Sequence, residues 1–217
     1  MVETVAGWVG DAERCLLALD APLGWPAALG PALAAHRAGA VIREPSDRLF
    51  RRETDRDVHR RFRKMPLEVG AERIARTARA ALETLDEVRS RTGLAIPLAW
   101  GPNETGRAAV IEVYPAGTLL THGFPAAGYK KPEQRPVREA ILDRLAGVLA
   151  LPDDREPMLM DADRLDAAVC ILAAADFLAG RAVPPGDQTT ARKEGWIWVA
   201  GGTSTERCVD HGRDHPV

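Results

Sequence analysis

Three carboxylates interrupt apolar runs in this sequence: Asp20 closes CLLALD, Glu112 stands inside AAVIEVYPA, and Asp166 lies early in DADRLDAAVCILAAADFLAG. An ionised acid is costly to desolvate alone, so acids in such settings are paired, hydrogen-bonded or bound to a cation. Three that converge make a hard-oxygen site suited to Mg²⁺ or Mn²⁺. Each acid also has a purely structural use. Asp20 before Ala-Pro is good turn chemistry, Glu112 suits the solvent side of an edge strand, and Asp166 extends an acidic helix start with Asp161 and Asp163 that the helix dipole favours. Spacing alone does not choose between these uses.

A second group of residues is basic. RLFRRETDRDVHRRFRKMP carries Arg51, Arg52, Arg56, Arg60, Arg61, Arg63 and Lys64, which could hold phosphates, with Lys130 and Lys131 as a second contact. Glu53, Asp55 and Asp57 interleave with them, as on a solvated helix face, and the aromatic residues of a single-strand platform are lacking. His36, His59 and His122 show no spacing that suggests a triad, and there is no G-x-S-x-G element. No Gly-rich loop offers a nucleotide-phosphate cradle. Cys208, His211 and His215 near the C-terminus have a metal-ligand look, but Gly212 and the polar context favour a loose tail. Trp25, Trp196 and Trp198 read as core or rim packing.

The elements that must position these groups follow an α/β pattern. Residues 2–9 suit a short helix, and 15–19 form a compact apolar run ended by turn formers, a buried strand that puts Asp20 at its carboxyl end. Ligands of open α/β sheets bind at that end. Residues 27–66 read as a polar, arginine-rich surface element. Ile74, Ala78, Leu82, Leu85 and Val88 recur at helical spacing within 71–89, and Gly93 closes the pattern. LAIPLAW and AAVIEVYPA are predicted as neighbouring strands joined by GPNETGR. A helix over 137–149, a mostly buried helix in DADRLDAAVCILAAADFLAG stopped by Gly180, and a last short strand in EGWIWVA complete the pattern. Residues 1–200 thus read as one domain and 201–217 as a flexible tail.

Composition narrows the setting. A chain of 217 residues fits one domain with a full core. Its net charge of -2 gives no overall attraction to nucleic acid, so a polyanion must be held by a local patch or by metal ions. The three cysteines form no CxxC pair, which argues against a disulfide framework and suits a reducing cytoplasm. No apolar run reaches the roughly 20 residues of a membrane span, and the N-terminus lacks the basic start and apolar core of a signal peptide.

Taken in order, LALDAPLGWP, the Arg52, Thr54, Asp55 element, IEVYPA, the Tyr129-Lys130 pair, D-x-x-DAAVC and EGWIWV resemble the bacterial and archaeal family called domain of unknown function 429. Its members are described as predicted nucleases with an RNase H-like fold. The resemblance implies an RNase H-like mixed sheet flanked by helices, and Asp20, Glu112 and Asp166 as catalytic acids that hold Mg²⁺ or Mn²⁺. Asp163, three residues before Asp166, would assist, as in RuvC-like nucleases. Arg52, Thr54, Asp55, Tyr129 and Lys130 would contact a nucleic acid or phosphate ester. One departure matters: members carry a G-[IV]-D strand element upstream of DAPLG, whereas only 19 residues precede Asp20 here and WVGDAE is not strand-like. The expectation is a sheet without those N-terminal strands, with an uncovered edge that a homodimer would cover. The same departure favours an alternative function, an inactive binding or regulatory domain. A phosphoryl enzyme of the sugar-kinase kind has least support.

Overall fold

The structure, a computed structural model, describes residues 1–70 and 72–201. Within them the chain forms ten helices and a two-stranded parallel sheet, a mixed α/β architecture. Strand β1 (Cys15–Leu19) pairs with β2 (Ala108–Glu112), Leu17 opposite Val110 and Leu19 opposite Glu112. Parallel strands need a long crossover. Here it holds α2 (Leu29–Ala34), α3 (Ser46–Phe50), α4 (Glu53–Phe62) and α5 (Glu72–Thr92), with α1 (Val2–Asp11) ahead of β1. All five β2 residues are buried, as expected of a parallel strand covered on both faces.

LAIPLAW, predicted as a neighbouring strand, and EGWIWVA, predicted as a last short strand, each meet β2 in a single bridge, Leu98 at Val110 and Ile197 at Glu112. Pro97 has no N–H to give a ladder and Ile96 takes φ 42°, so LAIPLAW bends away after one bridge. Among the described residues nothing pairs with the outer edge of β1.

Helices α1 and α5 cover one sheet face through Ala6, Val9, Leu85, Val88 and Val110. The other face carries α9 (Ala162–Leu178), where Cys170, Ala173 and Phe177 meet Ala109, Ile111 and Trp198. The far side of α9 packs with α7 (Arg135–Ala146) through Leu142, Leu145, Leu165 and Val169, and α8 (Glu156–Met160) closes that cluster. Helix α9 is therefore apolar on two sides. It ends as expected before Gly180, φ 70°, while α5 ends at Gly93, also φ 70°.

The 27–66 segment differs from its expectation as a surface element. Arg52, Thr54, Asp55 and Val58 are at most 1% exposed. Their charges pair with one another and with the sheet, so a polar sequence enters the interior without an apolar stripe. Helices α6 (Pro115–Thr121) and α10 (Gln188–Glu194) had no periodic signal to predict them. The first starts on a proline and the second on Asp187, whose side chain accepts from Thr189 N and Thr190 N. The expected tail, with Cys208, His211 and His215, lies outside the described residues except for Gly201. Among the described residues, no helix is long and apolar enough to cross a membrane.

Candidate active site

The carboxyl end of β1 and the first turns of α9 open onto one cleft of about 710 Å³. Asp20 enters it from the strand end, Asp163 and Asp166 from the helix, and Lys130 from the turn between α6 and α7; Glu112, Arg52 and Tyr114 form its inner wall. The Lys130 ammonium lies 2.6 Å from Asp166 Oδ2 and 3.8 Å from Asp20 Oδ2. The Tyr129 hydroxyl donates to Asp166 Oδ1 at 2.7 Å. Asp166 is only 2% exposed, and its Oδ2 meets the Lys130 ammonium as a close ion pair.

Burial and crowding tune these groups. Burial pushes the Asp20 carboxyl up to about 6, against the pull of Lys130, and the neighbouring charges of Asp166, Asp163 and Glu112 add to the rise. Burial also raises Asp166, with Lys130 and Tyr129 opposing. For Lys130, desolvation works against the charge, but Asp166 and Asp20 outweigh it and hold the ammonium above the usual lysine range. Burial, reinforced by Asp20 and Asp166, holds the Cys170 thiol well above its usual range, so it is not an activated nucleophile.

Behind the cleft, Arg52 spends all five of its N–H donors. Nη1 and Nη2 donate to Glu112 Oε2 and Oε1 at 2.8 and 2.7 Å. Nε and Nη2 donate to Asp55 at 3.2 and 2.9 Å, and Nη1 also reaches the Glu194 carbonyl at 3.3 Å. Burial disfavours the guanidinium charge, but Glu112 and Asp55 more than offset this and keep it protonated. Glu112 Oε2 takes a further bond from Leu23 N at 2.9 Å. Thr54 Oγ1 accepts from Ile197 N at 2.8 Å, fixing EGWIWV against α4.

The nine residues singled out in the sequence thus fall into two groups. Asp20, Asp163, Asp166, Tyr129 and Lys130 gather around the cleft opening. Arg52, Thr54, Asp55 and Glu112 form a buried ion network, in which Arg52 has no N–H left for a phosphate and Glu112 would meet a cation only after its pair with Arg52 opened. Arg51, Arg56, Arg60 and Arg61 form salt bridges with Asp47, Glu53 and Asp57 of their own segment.

Several contributors escaped the sequence reading. Glu194, 4% exposed, accepts from Ala27 N at 2.7 Å and from Glu53 N at 2.6 Å, tying the loop after β1 to the start of α4. Gly195, φ 83°, lets the chain pass where a Cβ would stand 3.0 Å from Glu112 Oε2. Its place in EGWIWV was visible, its reason was not. His122, which showed no partner in sequence, has one: its Nε2 lies 2.7 Å from Asp176 Oδ2, and Arg181 holds the other oxygen.

The donor set suits a hard divalent cation. Among the described residues no three acids, histidines or cysteines stand in a ready metal-holding group. Asp20 and Asp166 nonetheless flank a single cationic position, now held by the Lys130 ammonium. Mg²⁺ is commonly held by one or two carboxylates, with water and substrate phosphates completing its shell.

Comparison with known proteins agrees with the motif order. No curated protein and no solved structure matches the chain. Residues 1–190 match the family model described as "Protein of unknown function (DUF429)". With that match running from the first helix through β1, the cleft acids and into α10, the chain belongs to the DUF429 family.

Proposed function

We propose that the chain is a divalent-metal-dependent phosphodiester hydrolase of the nuclease type, with an RNase H-like placing of its acids. The observation that carries this reading is the meeting of Asp20, at a strand's carboxyl end, and Asp166, at a helix start, around one cationic position in one cleft. Asp20 and Asp166, with Asp163 at the rim, would hold Mg²⁺ or Mn²⁺. When bound, the metal supplies a Lewis acid that activates water and neutralises charge developing on a phosphoryl group.

The chain's own residues do the rest. Asp20, with a carboxyl near 6, is largely ionised at neutral pH. Tyr129 fixes the Asp166 carboxylate by donating to Oδ1. Lys130 supplies a cation for a substrate phosphate. The Arg52 and Glu112 pair is a rigid inner wall that keeps the strand ends and EGWIWV in register. A cleft of about 710 Å³ is large enough for a nucleotide unit or a small phosphate ester.

Calorimetric titration of Mn²⁺ and Mg²⁺ into the chain and into Asp166→Asn tests the site, followed by incubation with labelled single- and double-stranded DNA and RNA. Saturable binding lost in the variant, with metal-dependent cleavage, supports the proposal. No binding at millimolar metal overturns it.

A second reading, a binding domain without catalysis, is favoured by one specific observation: the Lys130 ammonium already neutralises Asp166 and faces Asp20. It requires oligonucleotide binding that persists in EDTA, with no cleavage under any metal. The edge of β1, unpaired among the described residues, fits pairing with a second copy, and a monomer in sedimentation counts against that arrangement.

A further inference from the structure

We propose that Lys130 is a resident counter-ion of the acid cleft: it yields its place to the divalent cation and, once displaced, holds the substrate phosphate. This rests on the metal reading above and adds to it the order in which the two cations use one position.

Four observations carry it. The ammonium sits between Asp166 Oδ2 and Asp20 Oδ2, at 2.6 and 3.8 Å, where a shared cation would sit. Its contact with Asp166, at 2.6 Å, is an ion pair, so a divalent cation in the same position replaces the positive charge that Asp166 gives up. The Lys130 side chain is 53% exposed, which leaves it room to swing toward solvent. Its backbone, in contrast, is pinned on both sides: the buried Arg138 donates from Nη1 to the Tyr129 carbonyl at 2.7 Å and to the Lys131 carbonyl at 2.8 Å. The long stem therefore moves on a fixed base, and the ammonium stays within reach of the cleft mouth.

Charge supplies the driving force. Three carboxyl groups, Asp20, Asp163 and Asp166, line this cleft, and Lys130 is the ammonium among them. A divalent ion brings two positive charges, and at a separation of a few ångströms it repels the ammonium. The two cations exclude each other from the position between the acids. A phosphate entering the loaded cleft would then find both a divalent charge and a freed ammonium, a pairing that suits an anion with several free oxygens.

The test is Mn²⁺ titration of the chain and of Lys130→Gln, followed by titration of inorganic phosphate into each Mn²⁺-loaded protein. Lys130→Gln should bind Mn²⁺ about tenfold tighter and phosphate about tenfold more weakly, two shifts of opposite sign that a merely structural lysine would not produce. Lys130→Arg, which keeps the charge, should restore weak Mn²⁺ binding and most of the phosphate affinity. Equal or weaker Mn²⁺ binding by Lys130→Gln overturns the displacement while leaving the metal site standing. Absence of Mn²⁺ binding in both proteins overturns the metal reading and this inference together.

Discussion

Arg52 and Glu112, 60 residues apart, meet in a two-pronged pair inside the protein, with Nη1 2.8 Å from Oε2 and Nη2 2.7 Å from Oε1 and neither side chain more than 2% exposed. Removing one partner strands the other as an uncompensated buried charge. Arg52→Met leaves both Glu112 and Asp55 without their cation, and we expect a loss of about 3–5 kcal/mol in urea unfolding. Glu112→Gln keeps the shape and leaves Asp55 to balance Arg52, so its loss should be smaller, about 1–3 kcal/mol.

Asp20 makes stability depend on pH in a defined direction. Its carboxyl titrates near 3.8 when unperturbed and near 6 in the fold. A raised carboxyl favours the folded state while protonated, so this contribution is complete below about pH 4 and is lost as pH rises through 6. Asp20→Asn should therefore melt higher than the parent at pH 8, by about 1 kcal/mol once its partial exposure is discounted, and match it below pH 4. Thermal melts at the two pH values decide this; a gain of equal size at both would remove the titration as its cause.

In the proposed metal site Tyr129 would act only through Asp166, to which its hydroxyl donates. Tyr129→Phe removes the hydroxyl that donates to Oδ1 at 2.7 Å and frees the carboxylate to turn. Loss of such a supporting bond typically lowers metal affinity about 10–100-fold. Calorimetry with Mn²⁺ should show that drop with the binding stoichiometry unchanged.

Two glycines give a matched pair of substitutions. At Gly24 an added Cβ would stand 2.5 Å from the Glu194 carbonyl oxygen and 2.6 Å from its carbon, both backbone atoms. Gly24→Ala must push apart the loop after β1 and the end of α10, and we expect a loss of about 1–3 kcal/mol. Gly7 lies inside α1 with nothing within 4 Å of the same added atom. Gly7→Ala should raise stability by about 0.5–1 kcal/mol in the same melt.

Legibility in the sequence followed the range of the interactions. Helices α5 and α9 were readable because Leu85, Val88, Val169 and Ala173 recur within single turns and Gly93 and Gly180 stop them locally. Strand β1 and the position of Asp20 at its end were readable from CLLALD and the turn formers after it. The burial of Arg52, Thr54 and Asp55 was not, because their partners Glu112 and Ile197 lie 60 and 143 residues away and no periodic pattern encodes an ion pair. The short elements resisted for a related reason: LAIPLAW and EGWIWVA look like strands, yet each offers β2 a single bridge. The common cleft of Asp20 and Asp166 was suggested by the family resemblance and not by any spacing between them.

The Arg52 network also bears on how the protein comes to exist. Its bonds join residues separated by 60, 89 and 142 positions along the chain, spanning Leu23 to Glu194. Contacts of such high sequence separation are slow to find, since a long loop must close before any of them is rewarded. During synthesis Asp20 and β1 leave the ribosome early, but the wall behind them cannot close until Glu194 has emerged. A nascent chain therefore carries the acids without a closed wall behind them until the whole matched region, residues 1–190, and the turn of α10 that follows it have been made.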